Sequence, residues 1–169
     1  MSPCPEEPQT VPLTWLREAV AMRAAAYAHI FDVLREKLGT EPAIDLLSEA
    51  TRRLGASKAA GLASFAPTDL AGLKDAFLDG IPARDVMFAP AVTRCDHERL
   101  EIQFHRCPLK EAWQAMGRSD TDLTLLCAWA SVIDSGLFEA AGFTFSGEPW
   151  RPGQTGCCLL RIEPRAARC

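Results

Sequence analysis

The sequence predicts an α+β fold, with N-terminal helices packed on an antiparallel sheet and two further helices between its hairpin-like strand pairs. Three observations carry this. Apolar positions recur at helical spacing through roughly the first eighty residues. The texture changes at Ile81, after which alternation at period two takes over. The strands then fall in pairs rather than alternating singly with helices, which is the pattern of an antiparallel sheet.

Taken in order, the first helix starts at Pro12 and presents Leu16, Val20, Ala24, Tyr27, Phe31, Leu34 and Leu38. Pro12 suits a first helical turn and Gly39 stops the helix. Thr40 then caps a second helix, with Ile44, Leu47, Thr51 and Leu54 on one face and Gly55 as its end. A third, from Thr68 to Leu78, carries Leu70, Leu73 and Phe77. Asp85 to Cys95 has β character, and Asp96-His97-Glu98 reads as a hairpin tip. Arg99 to Cys107 alternates, with Leu100, Ile102 and Phe104 on one face and Glu101, Gln103, His105 and Cys107 on the other. Pro108 ends that strand and opens a helix from Lys110 to Met116. Asp120 or Thr121 caps the next, which runs to about Leu137. Gly136 and Gly142 bracket the turn into a strand from Phe143 to Ser146. A loop rich in proline and glycine leads to the last strand, Thr155 to Ile162. Residues 1–11 read as a disordered lead-in, 12–164 as one domain and 165–169 as a tail.

Composition narrows the function classes. The 169 residues are 48% apolar and 24% charged, with a net charge of −4 and scattered basic residues, so no footprint for nucleic acid is present. No apolar run approaches the ~20 residues of a membrane helix, so no membrane partner is expected. The acidic, proline-rich start is the reverse of a signal peptide. Seven cysteines, an odd number, suit thiols that are buried, metal-bound or catalytic rather than bridged. The expectation is a cytoplasmic protein that acts on a small molecule, with no nucleotide cofactor and with a homo-oligomer left open.

The chemistry-bearing residues crowd the second half: five of the seven cysteines and two of the three histidines lie between Cys95 and Cys158. His105 and Cys107 share a strand face, where a histidine would hold a cysteine as thiolate for nucleophilic attack, or both would ligate a metal. Arg106 points the other way. Cys127 lies in the apolar run Leu125 to Ala130, with Ser131 and Asp134 on the same helical face. A carboxylate on such a face needs a partner. The loop after Glu148 holds Trp150 and Arg151 and leads back to Cys157 and Cys158, of which strand alternation lets only one look into any given site. Arg106 or Arg151 would clamp a substrate carboxylate, and Trp150 would supply an apolar wall. His29, His97, Cys4 and Cys169 read as non-functional, and Cys95 leans structural.

Arg106-Cys107-Pro108 after a strand, Leu126-Cys127 in a helix and Gly156-Cys157-Cys158 near the C-terminus resemble the L-2-amino-thiazoline-4-carboxylic acid hydrolase family. Leu34 to Gly39 and Glu49 to Gly55 resemble it too, so that the similarity spans about Trp15 to Ile162. Members often carry an acidic residue soon after the Leu-Cys; position 130 here is Ala and Asp134 is the nearest candidate. The resemblance implies a hydrolase opening a C–S or C–N bond in a small amidine-containing ring. A more distant similarity, to 4-vinyl-reductase-type ligand-binding domains, implies zinc or another divalent metal on Cys127, Glu148 and Cys157 or Cys158. Two routes follow. In one, a metal-bound water attacks. In the other, Cys107 or Cys127 attacks, with His105 moving the proton and Asp134 assisting. The competing class is a non-enzymatic, sensor-like binding module with a structural metal.

Overall fold

The computed structural model describes residues 11–165. Apart from Val11 and Arg165, the expected lead-in and tail lie outside them, as do Cys4 and Cys169. Helices come first: α1 (Leu13–Leu38), α2 (Thr40–Ala56), α3 (Leu70–Asp79) and the short α4 (Arg84–Met87). The hairpin β1 (Pro90–Cys95) and β2 (Leu100–Phe104) follows, then α5 (Pro108–Ala115), α6 (Asp120–Ala130) and α7 (Val132–Ala141). The strands β3 (Phe143–Glu148) and β4 (Leu159–Pro164) close the chain. All neighbours are antiparallel in the order β1-β2-β4-β3, so the two hairpins join through β2 and β4, with Ile102 opposite Leu160. The α+β expectation holds.

Alternation on β2 is as read: Leu100, Ile102 and Phe104 are buried and form one core with Leu70, Leu73, Phe138, Phe143 and Ile162. A second core lies among the helices, where Ala24, Ala28 and Phe31 of α1 meet Leu47, Trp113, Leu126 and Trp129. Small residues on α1 let α5 approach, and the Trp113 indole N–H donates to the Ala24 carbonyl at 2.8 Å. That bond satisfies a group otherwise costly to bury.

Several boundaries differ from expectation, each for a local reason. The stretch before β1 is a helical turn because Ala83 and Ala89 take positive φ (49° and 46°) and bracket α4. Strand β2 stops at Phe104, and Cys107 becomes the residue before the first turn of α5, with Pro108 at its start. The helix expected to run unbroken to Leu137 breaks at Ser131, whose hydroxyl donates to the Ala128 carbonyl at 2.9 Å. Ser119 rather than Asp120 caps α6. Gly55 does not stop α2, nor does Gly136 sit in a turn. Both lie inside helices where α2 crosses α7, and a methyl built on Gly55 would overlap the Ile133 carbonyl, one on Gly136 that of Arg52. The α6–α7 stretch, Asp120–Ala141, is long and apolar enough to cross a membrane by length and composition, contrary to the reading that no such run exists. About a third of that stretch is buried, Leu123, Leu126, Trp129 and Phe138 among it, in the two cores.

Candidate functional site

Between the two cores lies a cavity of about 250 Å³, walled mostly by apolar side chains such as Phe77, Phe88, Leu109 and Leu137. Four thiols and one carboxyl interrupt that wall: Cys107, Cys127, Cys157, Cys158 and Asp134. They come from three places. Cys107 stands at the start of α5, Cys127 and Asp134 on either side of the Ser131 break, and the vicinal pair on the segment leading into β4. All five described cysteines of the chain are free thiols.

The vicinal pair corrects the alternation argument. Regular β4 begins only at Leu159, and Gly156 (φ 92°) turns the chain just before Cys157. Outside a pleated strand the two side chains need not oppose each other, and their Sγ atoms lie 3.3 Å apart beside the same cavity. The Cys157 N–H donates to the Phe104 carbonyl at 2.8 Å, and the Phe104 N–H donates to that of Cys158 at 2.9 Å, which hold the pair against the end of β2.

Electrostatics distinguishes the thiols. The Cys107 thiol is drawn down from 9.0 to about 7, chiefly because the Cys157 thiol hydrogen-bonds to it. Burial opposes this, while the Lys110 and Leu109 amides at the start of α5 and the Lys110 charge add to it. No capping bond closes from Sγ, so the amides act through their dipoles. Cys157 is pushed up, first by hydrogen bonding with Cys107 and Cys158 and then by burial. Cys127 is pushed up by burial, with Cys107 and Cys158 adding repulsion. Burial lifts the Asp134 carboxyl from 3.8 to about 7, with the Cys107 charge adding to it. Among the described residues Asp134 has no ion pair and no side-chain hydrogen bond. It is half-buried and lines both this cavity and an adjoining one shared with Ser131 and Cys158.

The other expected residues sit elsewhere. With β2 ended at Phe104, His105 does not share a strand face with Cys107; it is exposed and outside the cavity wall. Arg106 reaches the wall, but Glu111 holds its guanidinium by two bonds of 2.8 Å and the Val86 carbonyl by a third. Arg151 is exposed. Trp150 is buried in the helical core, with the Lys110 ammonium 5.1 Å from its ring centroid, and does not line the cavity. Glu148 is half exposed, 2.6 Å from Arg161. Among the described residues no three His, Cys, Asp or Glu side chains gather as a metal-holding group, so the zinc set of Cys127, Glu148 and Cys157 or Cys158 is not assembled.

The model of the L-2-amino-thiazoline-4-carboxylic acid hydrolase family matches residues 19–152. The chain belongs to that family. No curated protein and no solved structure matches it. Membership in the thiazoline-carboxylate hydrolase family supports a hydrolase-like function. The matched span takes in Cys107, Cys127 and Asp134 and ends before Cys157 and Cys158, and is thus shorter at both ends than the similarity read from the sequence.

Two charged cavity residues escaped the sequence reading, Arg23 of α1 and Lys58 just after α2. A signal for the first existed: Arg23 shares the row of α1 that continues through half-buried Tyr27 to buried Phe31. Lys58 follows the helix end, where no periodicity applies.

Proposed function

We propose that the protein hydrolyses a small thiazoline-like ring through a covalent intermediate on Cys107. What carries this reading is the pairing, in one cavity of fitting size, of a thiol held near neutrality at a helix start with an unpartnered carboxyl held near neutrality. An acid and a nucleophile whose ionisations meet close to pH 7 are the set that acid–base and covalent catalysis require.

The ring carbon between sulfur and nitrogen is the electrophile. The Cys107 thiolate adds to it, and the bond to the ring nitrogen (or, in the alternative, the ring sulfur) breaks as the leaving atom takes the proton of the Asp134 carboxyl. Water then attacks the same carbon and gives a proton to the Asp134 carboxylate. The Cys107–carbon bond breaks and the thiolate returns. One water is consumed per ring opened, and both residues end as they began. Cys157, the chief cause of the lowered Cys107 ionisation, stabilises the thiolate, and apolar side chains make up most of the surrounding wall. Cys127, buried and pushed up, is the poorer nucleophile.

The test compares Cys107→Ser and Cys127→Ser on 2-amino-thiazoline-4-carboxylate, with intact mass spectrometry during turnover. Cys107→Ser should lose on the order of 10³-fold or more in kcat. Cys127→Ser should keep most of it, and wild type should show a thiol adduct. An active Cys107→Ser variant would sink the covalent reading. The sensor-like binding module is the reading left if wild type binds the ring without opening it.

A further inference from the structure

Every cation near the cavity except two is engaged elsewhere. Glu111 and the Val86 carbonyl hold Arg106. Lys110 donates to the Gly156 carbonyl at 3.3 Å and lies over the Trp150 ring. Arg23 and Lys58 both line the cavity, yet neither has an ion pair or a side-chain hydrogen bond among the described residues. Both are exposed. Arg23 arrives from α1 and Lys58 from the turn after α2, and Arg23 leans along Tyr27, its Cζ 5.9 Å from the ring centroid. Two unneutralised cations at a mostly apolar opening focus potential into it, because low-dielectric walls channel the field. Their chemistries are complementary. The guanidinium offers a planar fork for two oxygens and the ammonium a mobile point charge.

We propose that Arg23 and Lys58 form an anion-recognition rim at this cavity, which takes the carboxylate of a small substrate and holds its other end toward Cys107. The proposal uses the hydrolase reading only for the identity of the reacting ring; the rim itself concerns any small anion that reaches Cys107. It assigns substrate selection to α1 and the end of α2, rather than to Arg106 or Arg151.

The test uses two alkylators of similar size and opposite demand, iodoacetate and iodoacetamide, with modification at Cys107 followed by peptide mass spectrometry at low ionic strength. The readout is the ratio of the anionic rate to the neutral rate, which cancels changes in the thiol itself. In Arg23→Gln/Lys58→Gln the ratio should fall about 10-fold from wild type, with each single variant between, and added salt should lower the wild-type ratio. Lys37→Gln removes an exposed cation of α1 outside the cavity and should leave the ratio unchanged. In turnover, the double variant should raise KM for 2-amino-thiazoline-4-carboxylate at nearly constant kcat, and leave the uncharged carboxamide analogue unaffected. A ratio equal to wild type, or an equal fall in Lys37→Gln, overturns the rim. If wild type fails to open the ring while the alkylation ratio still falls in the double variant, the hydrolase reading fails and the rim stands. If the ring opens but neither ratio nor KM moves, the rim alone fails. Acetate should protect Cys107 in wild type and lose that protection in the double variant; acetate protection equal in both would overturn the rim.

Discussion

Alkylation by iodoacetamide across about pH 5 to 10 reads the ionisation of Cys107 and, through it, the thiol network. A thiol at its ordinary 9.0 is about 1% ionised at pH 7, whereas one at about 7 is about half ionised. That is a gain of about 50-fold in thiolate. A less basic thiolate is a weaker nucleophile, and with a Brønsted slope of about 0.4–0.5 two pH units cost about 6- to 10-fold. Cys107 should therefore react about 5- to 8-fold faster at pH 7 than an unperturbed thiol of equal access, with its rate levelling off above about pH 7. Cys157→Ala removes the first cause of the shift. Its inflection should move up toward 9.0, with folding checked by far-UV circular dichroism. Site-resolved mass spectrometry separates Cys107 from exposed Cys95. An inflection near 9.0 in wild type, or one that Cys157→Ala leaves in place, would refute the network.

Three further outcomes are expected. Asp134 is raised in the fold, so the native state binds more protons than the unfolded chain between about pH 4 and 7, and its contribution makes stability fall as pH rises through that window. Urea titrations should show Asp134→Asn gaining on wild type from pH 4 to 7, by at most about 4 kcal/mol and by less to the extent that the cavity admits water. Gly136→Ala gains about 1 kcal/mol of helix propensity but drives a methyl into the Arg52 carbonyl, for a net loss of about 1–3 kcal/mol in the same assay, while Gly61→Ala, with open space around it, should be close to neutral. Trp113→Phe should cost about 1–3 kcal/mol, because the buried Ala24 carbonyl loses its indole donor and the smaller ring leaves a gap.

Element types were legible because they rest on local periodicity. Leu100, Ile102 and Phe104 alternate, and buried Ala24, Ala28 and Phe31 keep a helical stripe whatever surrounds them. The crowding of reactive residues into the second half was also visible, but that Cys107, Cys127, Asp134, Cys157 and Cys158 line one cavity was not, because alternation separated Cys157 from Cys158 and paired Cys107 with His105. What failed was extrapolating a regular element past its end. Alternation carried past Phe104 put His105 beside Cys107, and carried back from Leu159 it split the vicinal pair. Chain ends of strands obey turn chemistry instead, set here by Pro108 and by Gly156 at positive φ. Gly55 and Gly136 misled for a similar reason. A glycine that ends a helix and one that lets two helices touch look alike until the partner is known. Arg23 shared a helical row with Tyr27 and Phe31, but its place beside the cysteines depends on tertiary packing, and Lys58, past the end of α2, had no periodic signal at all.

The contact between α2 and α7 has a bearing on what the cavity can accept. Lys58 lies three residues past Gly55, and Asp134 two residues before Gly136. Cation and acid thus hang from a joint where backbone meets backbone, with no side chain in between to shorten or lengthen. Substitution can reshape a side-chain wall but cannot retune such a joint by small steps, since even one methyl is too many. The span from Lys58 to Asp134 is then the fixed dimension of the cavity, and the wall built by α5 and the segment before β4 is the adjustable one. Variants that accept longer rings should arise at Leu109 or in the loop leading to Cys157, and not along the helix pair.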